Sequence, residues 1–328
     1  RSRNAQKYDF STYAKWTQSL GLNLQTFVDM QIRNINYTIN GFRDNPGLLI
    51  NKDYFFFNPK AGLTFTKNNY KIYGSYGRAV KEPNRNDFEA AVTSLPKPEK
   101  LNDIETGAEF SKGNLKLGAN FYYMFYKDQL VLTGKINDVG AYTRTNIPTS
   151  YRAGVELFGS AVLSKTFSIN GNITFSKNKI KNFTEFYDDY DNGGQGSKFY
   201  KESDISFSPN IISSLSLNII PTKNMLLTLT GKYVDEQFLD NTSNKNRRLK
   251  DYYTQDVRLS YSLKGKSISE VNFFVQAINI FSKNYEPNGY TFSYVSGGKL
   301  TTENFYYPMA PANFVVGVNI IPSLSKKK

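Results

Sequence analysis

Residues 167–176 read Phe-Ser-Ile-Asn-Gly-Asn-Ile-Thr-Phe-Ser, so apolar residues and one glycine alternate with serine, asparagine and threonine. The same period of two recurs at residues 115–126 and 312–320. Because successive side chains of a β-strand point to opposite faces, each of these strands has one apolar and one polar face. A soluble sandwich meets that need with a core on one side and water on the other. A membrane barrel meets it with lipid outside and water inside.

The lengths of the connections distinguish these two folds. Short turns, at residues 18–22, 67–69, 112–114, 164–165, 221–224 and 264–269, alternate with longer polar connections, at residues 41–53, 81–98, 137–140, 188–198, 241–250 and 283–303. Outer-membrane barrels have tight periplasmic turns at one rim and long extracellular loops at the other, whereas a sandwich has no reason to segregate its loops by length. We therefore predict an all-β fold, a transmembrane antiparallel β-barrel.

About thirteen strands are predicted, near residues 9–17, 22–40, 54–66, 70–80, 99–111, 115–136, 141–163, 166–186, 204–220, 225–240, 250–263, 270–282 and 310–320. With the short turns in the periplasm, the last strand also ends there. Single-chain bacterial barrels have even numbers of strands. The odd number therefore favours the loss of earlier strands over a miscount.

Composition agrees with a membrane wall and excludes several kinds of catalysis. Aromatic residues make up 15% of the chain, although only 39% is hydrophobic, as expected where aromatic girdles flank a lipid-facing band. No apolar run reaches the roughly 18 residues of a transmembrane helix. The chain has no cysteine and no histidine, which removes thiolate nucleophiles, the usual zinc sites and histidine-dependent triads. We predict no enzymatic activity, no metal and no cofactor.

The formal net charge is +13. One interpretation is a solvated surface together with lysine and arginine side chains that line the lumen. The alternative is an anionic partner, such as lipopolysaccharide headgroups or an acidic substrate. Nucleic acid is not expected as a partner, because the basic residues are scattered along the chain and form no single stripe.

Five stretches, taken in order, resemble the C-terminal barrel of TonB-dependent receptors in the style found in Bacteroidetes: Phe57–Phe65 with its internal proline, Tyr73–Arg85 ending in Glu-Pro-Asn-Arg, Pro98–Gly107, Tyr151–Leu157 and Asn279–Phe281. Each stretch alone is weak evidence, but together they span most of the chain. The resemblance implies about 13 C-terminal strands of a 22-strand barrel around a plugged lumen. It implies one barrel segment, residues 1–328. Such barrels usually end on an aromatic residue in the last strand, whereas this chain continues as a basic tail at 321–328.

The resemblance also implies a function in the outer membrane of a Gram-negative cell. The barrel would be part of an active transporter for a scarce ligand, such as a siderophore, haem, cobalamin or a similar small molecule or metal chelate. The TonB–ExbB–ExbD complex would drive uptake through a plug and TonB box that lie outside this sequence. Outer-membrane lipids and surface lipoproteins are the other expected partners. The alternatives are a passive porin-like channel, a structural or adhesive barrel that holds surface proteins, and the soluble sandwich.

Aromatic, basic and amide side chains in the long loops are the candidate ligand contacts: Arg85, Asn86, Phe88, Tyr187, Tyr190, Tyr290 and Tyr294. The competing interpretation is a hydrated loop for the first three, a plain surface loop for Tyr187 and Tyr190, and girdle or loop packing for Tyr290 and Tyr294. Asp189 and Asp191 offer carboxylates of the kind that Ca²⁺ prefers. Their spacing does not match an EF-hand, and a plain surface loop is favoured.

Overall fold

The computed structural model describes residues 4–43, 46–89, 95–136, 142–265 and 268–323. These residues form one short helix, α1 (Arg85–Glu89), and the following strands: β1 (Asn4–Ser19), β2 (Leu24–Asn40), β3 (Leu49–Lys67), β4 (Tyr70–Lys81), β5 (Glu99–Lys112), β6 (Leu115–Ile136), β7 (Tyr142–Val162), β8 (Phe167–Asp189), β9 (Gln195–Asp204), β10 (Ile211–Thr222), β11 (Met225–Val234), β12 (Gln237–Phe238), β13 (Arg248–Leu249), β14 (Tyr252–Leu263), β15 (Ile268–Ile278), β16 (Asn288–Ser296), β17 (Lys299–Tyr307) and β18 (Asn313–Pro322). The predicted loop at 137–140 and the lysines of the predicted tail, 326–328, lie outside the described residues.

Thirteen of the strands form one antiparallel wall in the order β1-β2-β3-β4-β5-β6-β7-β8-β10-β11-β14-β15-β18. The all-β prediction and the number of wall strands are confirmed. Several predicted bounds differ. The strand predicted at 225–240 leaves the wall after Val234, the connection predicted at 283–303 contains β16 and the start of β17, and the strand predicted at 204–220 is divided. Residues up to Asp204 belong to β9, which pairs with the far end of β8, and β10 begins only at Ile211.

Tight turns join the wall strands at one rim. Two residues connect β3 to β4 and two connect β5 to β6. Each turn needs a residue with positive φ, which Asn68 (φ 54°) and Gly113 (φ 55°) supply. At the other rim the connections are long and carry α1, β9, β12–β13 and β16–β17. This alternation is the one that an outer-membrane barrel requires.

The two faces of the wall differ in chemistry. Tyr76, Ile104 and Tyr123 are direct neighbours on β4, β5 and β6, and all three are exposed on the outward face. Residues of the opposite parity are polar and interact across strands inside the arc. The Tyr73 hydroxyl donates to Asn120 Oδ1 at 3.1 Å, and the Arg152 guanidinium donates to Ser208 at 2.8 Å. The outward face therefore suits lipid and the inward face suits water.

The buried apolar clusters lie at the long-loop rim. One contains Tyr37, Ile39, Phe42, Leu48, Ile50 and Phe88. A second contains Val131, Ile147, Ile180, Phe183 and Ile205. Burial is concentrated here because the loops fold over the strand ends, while the wall itself is one layer thick. No helix in the described part of the chain is long and apolar enough to span a membrane.

The wall is an open arc. Among the described residues β1 pairs only with β2 and β18 only with β15. All described elements belong to this wall or to the connections at its rim, so the structure is a partial barrel without a plug.

Candidate functional site

A cavity of about 700 Å³ opens at the long-loop rim. Its walls come from the ends of β6 and β8, from the connection before β10, from residues 239–247 and from β16. Seven aromatic side chains line it: Phe183, Phe186, Tyr187, Tyr190, Phe207, Tyr290 and Phe292. Three of these, Tyr187, Tyr190 and Tyr290, are among the candidates predicted from sequence. The structure thus brings together residues that are about 100 positions apart in the chain.

The β16–β17 hairpin reaches the cavity because it is docked on the tip of β8. Tyr294 and Val295 pair in parallel with Asp188 and Asp189, and the Tyr190 amide donates to the Val295 carbonyl at 3.0 Å. The Asp191 carboxylate accepts hydrogen bonds from the backbone amides of Gly297 and Gly298, at 2.8 and 2.6 Å. These two glycines form the hairpin turn and have φ of 61° and 72°, which favours glycine at both positions. We call this contact the Asp191 clasp.

Stacked rings fix the aromatic side of the cavity. Tyr290 lies parallel to Phe305 of β17 with ring centroids 4.8 Å apart, and Phe292 stacks on the same ring at 5.9 Å. Tyr290 is nevertheless 46% exposed, so part of its surface faces the cavity. Tyr294 is not part of the cavity lining, although its ring is 5.3 Å from Tyr190 and its hydroxyl donates to Glu303 at 2.8 Å. This arrangement presents pre-ordered π-faces, which suits a planar or conjugated ligand.

A buried ion cluster stands at the edge of the same cavity. Arg247 is 4% exposed and its guanidinium donates to Glu185, to Asp240 at 2.7 Å and to the Thr302 hydroxyl at 3.2 Å. The Tyr200 hydroxyl donates to Glu185 at 2.8 Å. One guanidinium therefore joins the end of β8, the connection 239–247 and β17.

Burial alone would lower the pKa of Arg247, but its hydrogen bonds to Glu185 and Asp240 outweigh that effect and the pKa is raised. Burial and the hydrogen bond to the Glu185 carboxylate raise the pKa of Tyr200 well above its usual range. Arg247 is therefore charged and Tyr200 is a neutral donor at neutral pH. Sequence reasoning missed Arg247, Glu185 and Asp240, because nothing in their local sequence distinguishes them from solvated loop charges.

Arg85, Asn86 and Phe88 lie on α1, away from the aromatic cavity. Phe88 is fully buried and meets Tyr37 edge-on at 5.3 Å, so it anchors the helix to the rim. Arg85 lies over the ring of Phe42 at 5.3 Å, and Asn86 is exposed. A reciprocal cap between Asn84 and Asp87 starts the helix, with the two amide-to-side-chain bonds at 2.7 and 3.0 Å. Arg85 and Asn86 remain available to solvent, and Phe88 does not.

The carboxylates of Asp189 and Asp191, the candidate calcium ligands, already accept hydrogen bonds from the protein. Asp189 accepts from the amides of Asp191 and Asn192 and from the Asn192 side chain. The Asn192 bonds hold the pKa of Asp189 below its ordinary value. Asp191 is used by the clasp. Within the described ranges no group of three or more acidic, histidine or cysteine side chains is placed to hold a metal ion.

Comparisons with known proteins agree with this architecture. A family model described as "TonB dependent receptor-like, beta-barrel" matches residues 2–280. No curated protein matches the sequence.

Three solved structures are similar in fold. The ferric-catecholate import receptor Fiu from E. coli K12, in its closed form, has a TM-score of 0.68 and 18% identity over 97% of this chain and 45% of its own length. The siderophore receptor PiuA from Acinetobacter baumannii has a TM-score of 0.75 and 16% identity over 96% of this chain and 43% of its own. The copper transporter OprC has a TM-score of 0.72 and 14% identity, over 96% and 48%. The chain spans less than half the length of each of these proteins.

Proposed function

Because the chain belongs to the TonB-dependent receptor-like β-barrel family, we propose that it forms part of an active transporter that takes up a scarce ligand through the outer membrane. The family and its structural neighbours are outer-membrane proteins of Gram-negative bacteria. The ligand would be a siderophore, haem, cobalamin or a similar small molecule or metal chelate. We assign the chain a transport function and no enzymatic one.

One observation carries this proposal: the aromatic cavity opens at the long-loop rim, which in an outer-membrane barrel is the extracellular one, and has the volume of a small-molecule site. Sites for small ligands occupy roughly 300–1,000 Å³ and are lined mostly by apolar and aromatic groups with a few fixed polar ones. The cavity has about 700 Å³, seven aromatic rings and the Arg247 cluster. Fiu and PiuA are named as receptors for siderophores or their ferric forms. That likeness supports a chelate as the ligand class.

The energy source follows from the family. The TonB–ExbB–ExbD complex would act on a plug and TonB box outside these residues, and outer-membrane lipids would surround the wall. Surface lipoproteins are a further partner under this proposal. Each of these partners would bind a different part of the receptor, so each can be tested separately.

Uptake by a strain lacking the receptor tests the proposal. We expect the deletion strain to lose energy-dependent accumulation of one radiolabelled ferric chelate, haem or cobalamin, and a plasmid copy of the receptor to restore it. Tyr290→Ala in the complementing copy should weaken binding of that ligand about fivefold, because a stacked aromatic contributes about 1 kcal/mol. Tyr306→Ala, on the same hairpin but outside the cavity lining, is the matched control.

Two results would contradict transport of this kind. Unchanged uptake of every such ligand in the deletion strain would remove the transport function. Accumulation that persists after the proton gradient is collapsed would show a passive channel.

A further inference from the structure

The charged side chains that line the aromatic cavity give it a negative formal charge. In the described part of the chain they are two carboxylates and one guanidinium, those of Glu185, Asp240 and Arg247. The chain as a whole carries a formal net charge of +13. The cavity therefore has the opposite sign to the molecule as a whole, and the overall charge does not indicate which ligand the cavity binds.

Pairing inside the protein decides which of these three groups a ligand can reach. The Arg247 side chain is 5% exposed, and its guanidinium already donates to both carboxylates. Its Nε atom is buried as well. The Asp240 side chain is 23% exposed, so it keeps part of its surface open although it accepts hydrogen bonds from Arg247 and Thr242. A ligand that enters the cavity thus meets the Asp240 carboxylate and not the guanidinium.

The exposed ring faces also favour a positive charge. Tyr190, Phe207 and Tyr290 line the cavity and are 64%, 43% and 46% exposed. The face of an aromatic ring carries negative partial charge and attracts a cation that lies within about 6 Å of the ring centroid. One lining ring already holds such a cation, because the Lys135 ammonium lies 5.7 Å from the centroid of Phe186. An anion gains no such attraction from these faces.

Phe207 is held in a backbone conformation that an aromatic residue rarely adopts. Its φ is 50°, in the left-handed region. The Phe207 amide donates to the Phe238 carbonyl at 2.9 Å, which fixes this conformation from β12. Strained residues of this kind cluster at ligand sites, where the surrounding structure holds them in place. Here the Phe207 ring stays exposed in the cavity lining.

Further carboxylates stand beside the cavity. Residues 187–191 read Tyr-Asp-Asp-Tyr-Asp, so three aspartates are interleaved with two lining tyrosines. Glu303 of β17 accepts a hydrogen bond from Tyr294, whose ring lies next to Tyr190. Charges of one sign around a cleft with low-dielectric walls focus the potential inside it. These carboxylates raise the local concentration of cations and lower that of anions.

We propose that the aromatic cavity selects a conjugated ligand of positive net charge, such as a cationic metal chelate, and rejects anionic chelates, with Asp240 as the side chain that sets this preference. This assignment rests on the proposed transport function, since it names the charge class of the ligand that the same cavity would take up. The charge preference itself is a property of binding and can be measured without transport.

Three fluorescent dyes with one fused-ring skeleton test the preference in the intact receptor in detergent. Rhodamine methyl ester is a cation, unesterified rhodamine is a zwitterion of zero net charge, and fluorescein is a dianion in mildly alkaline buffer. Fluorescence anisotropy should show that the cation binds at least about tenfold more tightly than the dianion, with the zwitterion between them. The preference should shrink as salt is added, because the Debye length falls from about 30 Å at about 0.01 M to about 8 Å at about 0.15 M.

Asp240→Asn removes one negative charge and keeps an acceptor oxygen for Thr242. We expect the cation to bind about tenfold more weakly and the dianion more tightly, because a unit charge several ångströms from a ligand contributes about that factor at an intermediate effective dielectric constant. Glu236→Gln is the matched control, since it removes the same charge from a half-exposed pair with Arg248 outside the cavity lining. It should change neither affinity by more than about twofold.

Asn288→Asp makes the opposite change without altering the buried ion cluster. Asn288 is exposed and lines the cavity, and aspartate keeps the acceptor that its side chain offers to the Gly289 amide. The cation should bind about fivefold more tightly to this variant, and the dianion more weakly. If Asp240→Asn does not fold, this variant decides the outcome. Folding of each variant is checked by its resistance to SDS at room temperature, which an intact barrel wall confers.

The proposal is overturned if the dianion binds as tightly as the cation, if Glu236→Gln changes the preference as much as Asp240→Asn, or if none of the three dyes binds. In that last case the uptake assay still decides the transport function by itself. Conversely, a receptor that prefers the cation but supports no uptake keeps the charge preference and loses the transport function.

Discussion

At the scale of single residues, Arg247 and Arg248 show how burial determines what an ion pair contributes to stability. Arg247 is buried and its guanidinium satisfies Glu185 and Asp240 together, whereas its neighbour Arg248 makes a half-exposed pair with Glu236. Removing one partner of a buried pair leaves an uncompensated charge in a medium of low dielectric constant. An exposed pair is screened by water and contributes little.

We therefore expect Arg247→Ala to destabilise the rim by about 3 kcal/mol or more, and Arg248→Ala by less than about 1 kcal/mol. The loss in Arg247→Ala should appear as faster amide hydrogen exchange in residues 185–189 and 237–249, with the wall strands still protected. Equal exchange in the two variants would show that the cluster does not hold the rim together.

At the scale of elements, the β16–β17 hairpin is held at two places: Thr302 and Asn304 of β17 bond to Arg247 and to the Asn246 carbonyl, and the hairpin tip meets β8. Two parallel residue pairs and the Asp191 clasp join it to the tip of β8. The hairpin carries Tyr290 and Phe292 into the aromatic cavity. Elements with few buried contacts open at low free-energy cost. The clasp therefore controls how well the cavity is ordered.

Asp191→Ala should release the hairpin without affecting the wall. We expect faster hydrogen exchange at residues 288–307, about tenfold weaker ligand binding and an unchanged melting temperature of the barrel. Lys299→Ala, in the same turn but not part of the clasp, should change neither exchange nor binding. An Asp191→Ala receptor with native exchange in the hairpin would show that the strand pairing alone is sufficient.

At the scale of the whole molecule, the open arc sets a condition for membrane insertion. The outer edges of β1 and β18 lack strand partners among the described residues. Unpaired backbone groups cannot be left in hydrocarbon, so only a closed barrel spans a bilayer with strands. The wall formed by this chain must be completed by further strands before it can stand in lipid.

Expression of residues 1–328 alone tests this condition. We expect no SDS-resistant, heat-modifiable species from the fragment in detergent or liposomes, and such a species from the intact receptor under the same conditions. A monomeric, SDS-resistant fragment inserted in liposomes would show that the arc closes on itself.

Local sequence was sufficient for the wall because strand faces depend only on alternation. The stretch 167–176 correctly predicted β8 and its two surfaces, and loop lengths correctly predicted which rim holds the turns. The same reasoning failed at residues 204–210. The β8–β9 hairpin ends at Asp204 and residues 205–210 connect it to β10, and alternation alone does not say where a strand joins or leaves the wall.

The residues of the candidate cavity could be predicted from sequence only in part. Tyr187, Tyr190 and Tyr290 were identifiable from sequence as loop aromatics, but their convergence depends on the Asp191 clasp between residues more than 100 positions apart. In sequence Phe88 is a loop aromatic like these tyrosines, but its side chain is fully buried and anchors α1 to the rim. In sequence Arg247 resembles any other loop arginine, but in the structure it is the centre of an ion cluster. The sequence by itself determined the barrel wall, because a strand's faces are a local property. Only the tertiary structure decided which loop residues meet and which are buried, because burial and charge pairing depend on distant segments of the chain.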